Sequence, residues 1–146
     1  MQFTKKEIEL AKQLKEAGLE WEPEVGDWFL HRDKAYIVRD IGRDFVQAIQ
    51  SYPYDSEEVL AKCYSTWLPL WHQCRKYSGE HGWDIEIFHQ SEDKIHLRLV
   101  KEKEIQNQPL GIEIDTITIT DCHTDLEVMY QAILEVLDMS ASSLNE

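Results

Sequence analysis

Histidine and cysteine are the residues of this 146-residue chain that could bind a metal ion. There are six histidines and three cysteines, and the close pairs among them are His72-X-Cys74 and Cys122-His123. Neither spacing is one that holds zinc, and adjacent residues on a strand point to opposite faces. We therefore predict no metal site and no cofactor.

Covalent and acid–base catalysis also lack a recognisable signature. The chain has no Gly-X-Ser-X-Gly elbow, and its six glycines are dispersed rather than gathered in a phosphate-binding loop. Carboxylates lie two residues apart in predicted strands: Asp84 with Glu86, and Glu113 with Asp115. Such groups act as acid and base where a pocket shifts their pKa values, but the solvated face of a sheet presents the same pattern. The catalytic residues are therefore left unassigned.

The five tryptophans are the most distinctive feature of the composition. An exposed aromatic cluster recognises partners, whereas a buried tryptophan anchors a core. Trp28 and Trp83 begin predicted strands, and we interpret both as core residues. Trp67 and Trp71 lie four residues apart beside Pro69. We name Trp67 and Trp71 as candidate binding residues, with a core role as the alternative for each.

The charge balance limits the classes of partner. Asp and Glu outnumber Lys and Arg by 28 to 15, giving a formal net charge of −13. Because a negative surface repels phosphate groups, we expect no direct nucleic-acid binding and no docking on membranes, and a basic protein is the favoured partner. An odd number of cysteines without a Cys-X-X-Cys spacing indicates a reducing compartment, and the charged N-terminus is not a signal peptide. The predicted location is the cytoplasm.

The N-terminal segment has the signals of a helix that leads into a sheet. Thr4 and Glu7 have the spacing of a capping box, and Gly18 suits the left-handed residue that ends a helix. After the helix, Trp21 and Trp28 flank a turn that contains a proline and a glycine. We predict that the two tryptophans pin the helix to the sheet by being buried.

The first half of the chain then favours strands. Three short β-prone runs predict an antiparallel meander at about residues 27–30, 35–39 and 45–50. A short helical piece is expected from Glu57, with Ser56 as its cap. A middle helix is expected to begin at Thr66, with Pro69 in its first turn.

The second half predicts another meander followed by a helix. Alternating apolar residues indicate a hairpin around 83–87 and 95–99, a loop over 101–109, and a strand from Ile112 to about residue 119. A second capping-box spacing at Thr124 opens an amphipathic helix whose apolar face includes Ile133 and Leu134. Residues 140–146 are expected to fray.

Together these patterns predict an α+β fold. An antiparallel sheet in two meanders would carry the N-terminal, middle and C-terminal helices, as one domain over residues 1–139. The predicted function is a non-catalytic soluble binding or accessory protein with an acidic surface. The alternative is a small enzyme with an unrecognised carboxylate and histidine site.

Two short motifs carry a resemblance to other proteins. They are Ala-Gly-Leu-Glu-Trp-Glu-Pro at residues 17–23 and Gly-Asp-Trp-Phe at residues 26–29. In these motifs the chain resembles small uncharacterised bacterial and phage-associated proteins that begin with a helix and finish with an amphipathic helix. The resemblance implies this arrangement of elements and no particular activity.

Overall fold

The strands of the protein fall into two antiparallel sheets. A computed structural model describes residues 2–42, 45–50, 56–60, 65–92, 94–104 and 111–144, and in those ranges the chain has three helices and two sheets. The fold is therefore α+β, as predicted. The chain divides into two compact units, residues 1–70 and 71–146. The single domain expected over residues 1–139 stays a prediction.

Helix α1 (Lys5–Glu16) begins and ends at the residues that its sequence signals indicate. The backbone N–H of Glu7 donates to Thr4 Oγ1 (3.1 Å), and that of Thr4 donates to Glu7 Oε1 (2.7 Å), so the capping box is complete. Gly18 has a φ of +98°, and the N–H groups of Gly18 and Leu19 donate to carbonyls of the last turn. These bonds form the termination motif that favours glycine.

The first sheet has the strand order β4-β3-β2-β1-β5 in the part of unit 1 that the structure describes. Its strands are β1 (Trp28–His31), β2 (Lys34–Ile41), β3 (Phe45–Gln50), β4 (Ser56–Leu60) and β5 (Thr66–Trp67). The predicted meander corresponds to the first three of these strands. Arg32 and Asp33 connect β1 to β2 with φ values of 51° and 61°, which suits a tight hairpin.

Two expected helical segments are strands, and these predictions were wrong. Ser56 to Leu60 pairs along β3 instead of starting a helix at Glu57. Pairing with a neighbouring strand overrides a weak local capping signal. Thr66 and Trp67 pair with β1, and the middle helix α2 begins at Trp71. The residue before a proline is disfavoured in helical conformation, which explains why no helix runs through Pro69.

The core of unit 1 is built from aromatic rings. Trp21, Phe29 and Tyr36 are buried, with centroids 5.5 Å apart for Trp21 and Phe29 and 5.7 Å apart for Phe29 and Tyr36. Trp28 is also buried and meets Phe3 edge-on at 5.6 Å. Burial of the tryptophans that flank the turn is therefore confirmed for Trp21 and Trp28.

Unit 2 contains the second sheet and two helices in its described residues. The elements are α2 (Trp71–Glu80), β6 (Asp84–Ser91), β7 (Lys94–Glu104), β8 (Ile112–Cys122) and α3 (Asp125–Leu144). The sheet has the order β6-β7-β8, and α3 packs on β7, β8 and α2. Trp83, expected in the core, is 4% exposed. No helix in the described ranges is long and apolar enough to cross a membrane.

Two boundaries in unit 2 differ from the expected ones. Strand β7 continues to Glu104, so the first four residues of the expected loop over 101–109 are strand, and the rest lie outside the described residues. Helix α3 continues to Leu144, five residues past the predicted end at Met139. Residues 140–144 are therefore helical, and the expected fraying of the C-terminal end stays a prediction.

The apolar residues of β8 do not all face the core. Ile117 and Ile119 are 5% and 8% exposed, whereas Ile112 and Ile114 are 61% and 58% exposed. Residues 112 and 114 differ in parity from 117 and 119, and the pairing with β7 runs without a shift between them. Side chains alternate between the two faces of a strand, so a single register buries one set of isoleucines and leaves the other set on the opposite face.

Helix α3 supplies a matched pair for testing the core. Ile133 is 1% exposed, whereas the next residue, Leu134, is half-buried. We expect Ile133→Ala to lower the free energy of unfolding by about 2–5 kcal/mol, because it removes a fully buried side chain. Leu134→Ala should cost less, since part of that side chain is already in water. Urea denaturation of both variants measures the difference, and an equal or larger loss for Leu134→Ala would contradict this placement.

Candidate functional site

The two candidate binding tryptophans belong to different units. Trp67 lies on β5, is half-buried and packs against the aromatic core of unit 1. Trp71 begins α2 in unit 2, where its ring meets Phe88 edge-on at 6.0 Å and the Arg75 guanidinium at 5.7 Å. Each indole Nε1 is buried without a hydrogen-bond partner among the described residues. Their binding roles stay predictions, considered separately.

Trp67 forms part of a pocket in unit 1. The pocket has a volume of about 320 Å³, within the range of small-molecule sites. Three segments contribute to it: helix α1, the chain just after that helix, and the start of β5. The lining residues are Ala11, Lys15, Leu19, Glu20, Trp21, Glu22, Ser65 and Trp67.

Each segment is fixed by contacts within unit 1. The left-handed Gly18 ends α1 and returns the chain toward Trp21, whose buried indole N–H donates to Asp27 Oδ2 at 2.8 Å. Strand β5 is held by its pairing with β1 and by the N–H of Leu68, which donates to the carbonyl of Trp28 at 2.9 Å. The chain after α1 and strand β5 are therefore both attached to other parts of unit 1.

Hydrogen-bond donors gather where α1 meets the start of β5. The Lys15 ammonium donates to the backbone carbonyl of Ser65 at 2.8 Å, which holds the cation at the pocket. Ser65 is 2% exposed, and its hydroxyl has no partner in the described part of the chain. The Trp67 indole N–H is also buried without a hydrogen-bond partner among the described residues. Buried polar groups without partners cost about 1–3 kcal/mol each, so both groups would be stabilised by an acceptor.

Negative charge and apolar surface complete the pocket. Glu20 and Glu22 line it, and both residues are exposed. Ala11 and Trp21 are buried and provide apolar wall. The pocket thus joins one cation, two carboxylates and two indole rings, a combination suited to binding an amphipathic small molecule.

In each of the two close cysteine and histidine pairs, one residue is buried and the other is exposed. Cys74 and Cys122 are buried thiols, whereas His72 and His123 are exposed. In the described residues no three His, Cys, Asp or Glu side chains are grouped so that they could hold a metal ion. Cys63 lies outside those residues. Burial raises the pKa of the Cys74 thiol far above its usual range, which keeps it protonated and poorly nucleophilic.

The structure does not bring the two carboxylate pairs together. Asp84 and Glu86 are on β6 and the other pair is on β8, with β7 between the two strands. The β6 and β8 backbones are therefore about 10 Å apart, two strand spacings. The register shifts between residues 85 and 87, so Glu86 lies at a bulge, where its carboxylate is 3.4 Å from the Arg98 guanidinium.

Sequence reasoning identified Trp67 but missed the other polar residues of the pocket. Lys15 and Ser65 are 50 residues apart and belong to segments that no local pattern connects. Pairing of β5 with β1 would have indicated that Ser65 lies near α1, but the segment that begins at Thr66 was predicted to be helical. Comparison with protein-family models, curated proteins and solved structures finds no match.

Proposed function

We propose that the protein is a non-catalytic cytoplasmic binding protein whose N-terminal unit binds a small molecule. The observation that carries this proposal is a pocket lined by Lys15, Ser65 and Trp67, in which the Lys15 ammonium donates to the Ser65 carbonyl and the buried Ser65 Oγ and Trp67 Nε1 have no partner among the described residues. A ligand acceptor would satisfy groups that the described residues leave unsatisfied. The apolar walls would supply the remaining binding energy.

Binding is favoured over catalysis by the titratable groups of the described residues. Burial raises the pKa of Cys74 and that of Tyr77, and a raised pKa makes neither group a better nucleophile or base at neutral pH. Among the described residues that line it, the pocket combines lysine, glutamate, serine and tryptophan, without a histidine or cysteine. The alternative of a carboxylate and histidine enzyme has less support than a binding site.

We expect small molecules from a metabolite library to perturb the amide NMR resonances of the pocket. The affected residues should be Lys15, the segment 19–22 and the start of β5, because these line the cavity. Resonances of β6 and β7 serve as the internal control. Perturbation confined to other regions, or none from a broad library, would contradict the proposal.

A second candidate function is recognition of a basic protein by unit 2. Residues 71–146 contain 15 Asp and Glu against six Lys and Arg, a net charge of −9, whereas residues 1–70 contain 13 against nine, a net charge of −4. The acidic excess is thus concentrated in one unit. A concentrated negative field attracts cationic partners and speeds their association.

For this second function we expect a lysine-rich model peptide to bind at low salt and to perturb amide resonances of unit 2. The affinity should fall steeply as ionic strength rises, because salt screens exposed charges beyond about 10 Å at 0.1 M. A glutamate-rich peptide of equal length is the control. Equal binding of both peptides, or an affinity independent of salt, would count against an electrostatic surface.

A further inference from the structure

We infer that the pocket of unit 1 binds a zwitterion with an apolar body, of the class of aromatic or large aliphatic α-amino acids. The ligand carboxylate would be received at Lys15, Ser65 and Trp67, and its ammonium at Glu20 and Glu22. This inference rests on the proposed small-molecule function and names the ligand for that site.

The donors define the first half of the ligand. The Lys15 ammonium, the Ser65 hydroxyl and the Trp67 indole N–H are all potential hydrogen-bond donors, and the last two have no acceptor among the described residues. An ionised carboxylate accepts several hydrogen bonds at once and forms stronger bonds to cationic donors than a neutral carbonyl does. A carboxylate therefore matches this donor set better than an amide or a ketone.

The glutamates define the second half. Lys15 contributes one positive charge to the lining, and Glu20 and Glu22 contribute two negative charges. A dianion such as a phosphate ester would meet a net negative site, and like charges repel. A ligand that carries an ammonium group beside its carboxylate would pair with both kinds of charge.

The size and surface of the pocket define the rest of the molecule. Its volume of about 320 Å³ is at the small end of the range for ligand sites. The walls include two tryptophan rings, of which Trp21 is 7% exposed. Aromatic faces attract apolar groups and cations. One ring or one branched aliphatic chain fits this space and chemistry.

Matched probes separate the two charges of the ligand. At about pH 7 L-phenylalanine and L-leucine carry both charges, hydrocinnamate carries the carboxylate alone, and phenethylamine carries the ammonium alone. Isothermal titration calorimetry on the full chain should show the tightest binding for at least one of the two amino acids. Removing either charge from that body should weaken binding about tenfold or more, since hydrogen bonds to charged groups are strong.

Lysine variants assign the carboxylate to its receptor. Lys15→Met should weaken binding of the amino acid and of hydrocinnamate about tenfold or more, and leave phenethylamine unchanged. Lys12→Met is the matched control, because Lys12 is an exposed lysine of the same helix outside the pocket lining. Glu20→Gln should weaken the amino acid and phenethylamine and spare hydrocinnamate. Thermal melts check that each variant is folded.

Three results would overturn the inference. The first is that neither amino acid binds, the second is that affinity does not depend on the probe's charges, and the third is that Lys12→Met and Lys15→Met have equal effects. If library compounds perturb the pocket resonances while both amino acids fail to bind, the ligand class is wrong and the binding function stands. If no compound perturbs those resonances, the proposed function fails as well.

Discussion

The hydrogen bond between the Trp21 indole and the Asp27 carboxylate is the interaction on which unit 1 depends. Both residues are buried, at 7% and 4% exposure, and the bond is 2.8 Å long. Asp27 Oδ2 also accepts the backbone N–H of Glu24 at 3.0 Å. Burying a carboxylate costs free energy unless it accepts hydrogen bonds, and Asp27 accepts two. These two bonds close the turn from Trp21 to Asp27.

The same turn is attached to the sheet through backbone bonds. The N–H of Gly26 donates to the carbonyl of Val38, and the N–H of Val38 donates to the carbonyl of Asp27, both at 2.9 Å. Gly26 has a φ of +96°, a conformation that favours glycine. The end of α1 is thereby connected to β2 while the indole ring of Trp21 enters the core beside Phe29. Trp21 also lines the pocket, so the same residue contributes to the core of unit 1 and to the proposed site.

Local signals were enough to predict the elements whose stability is local. Thr4, Glu7 and Gly18 specify the ends of α1 through bonds within a few residues, and the structure confirms them. Strands β4 and β5 were missed because each is defined by pairing with another strand, β4 with the preceding strand β3 and β5 with the distant strand β1. The exposure of Ile114 was missed for a similar reason, since the register with β7 decides which set of isoleucines is buried.

The pocket was the least predictable feature. It brings Ser65 to Lys15 across 50 residues, and neither residue belongs to a motif. Trp67 was identified for its aromatic character, but its chemistry depends on a donor group that becomes visible once β5 is placed at the edge of the first sheet. The ends of helices could be read from the sequence, whereas the proposed ligand site depends on tertiary contacts.

The most direct test of this account is a double-mutant cycle on Trp21→Phe and Asp27→Ala, measured as free energies of unfolding in urea. Each single change removes the bond, and the cycle isolates the coupling between the two side chains. A buried hydrogen bond to a carboxylate predicts a coupling free energy of about 1.5–3 kcal/mol. Additive effects, within about 0.5 kcal/mol, would show that the Trp21–Asp27 bond does not hold the turn together.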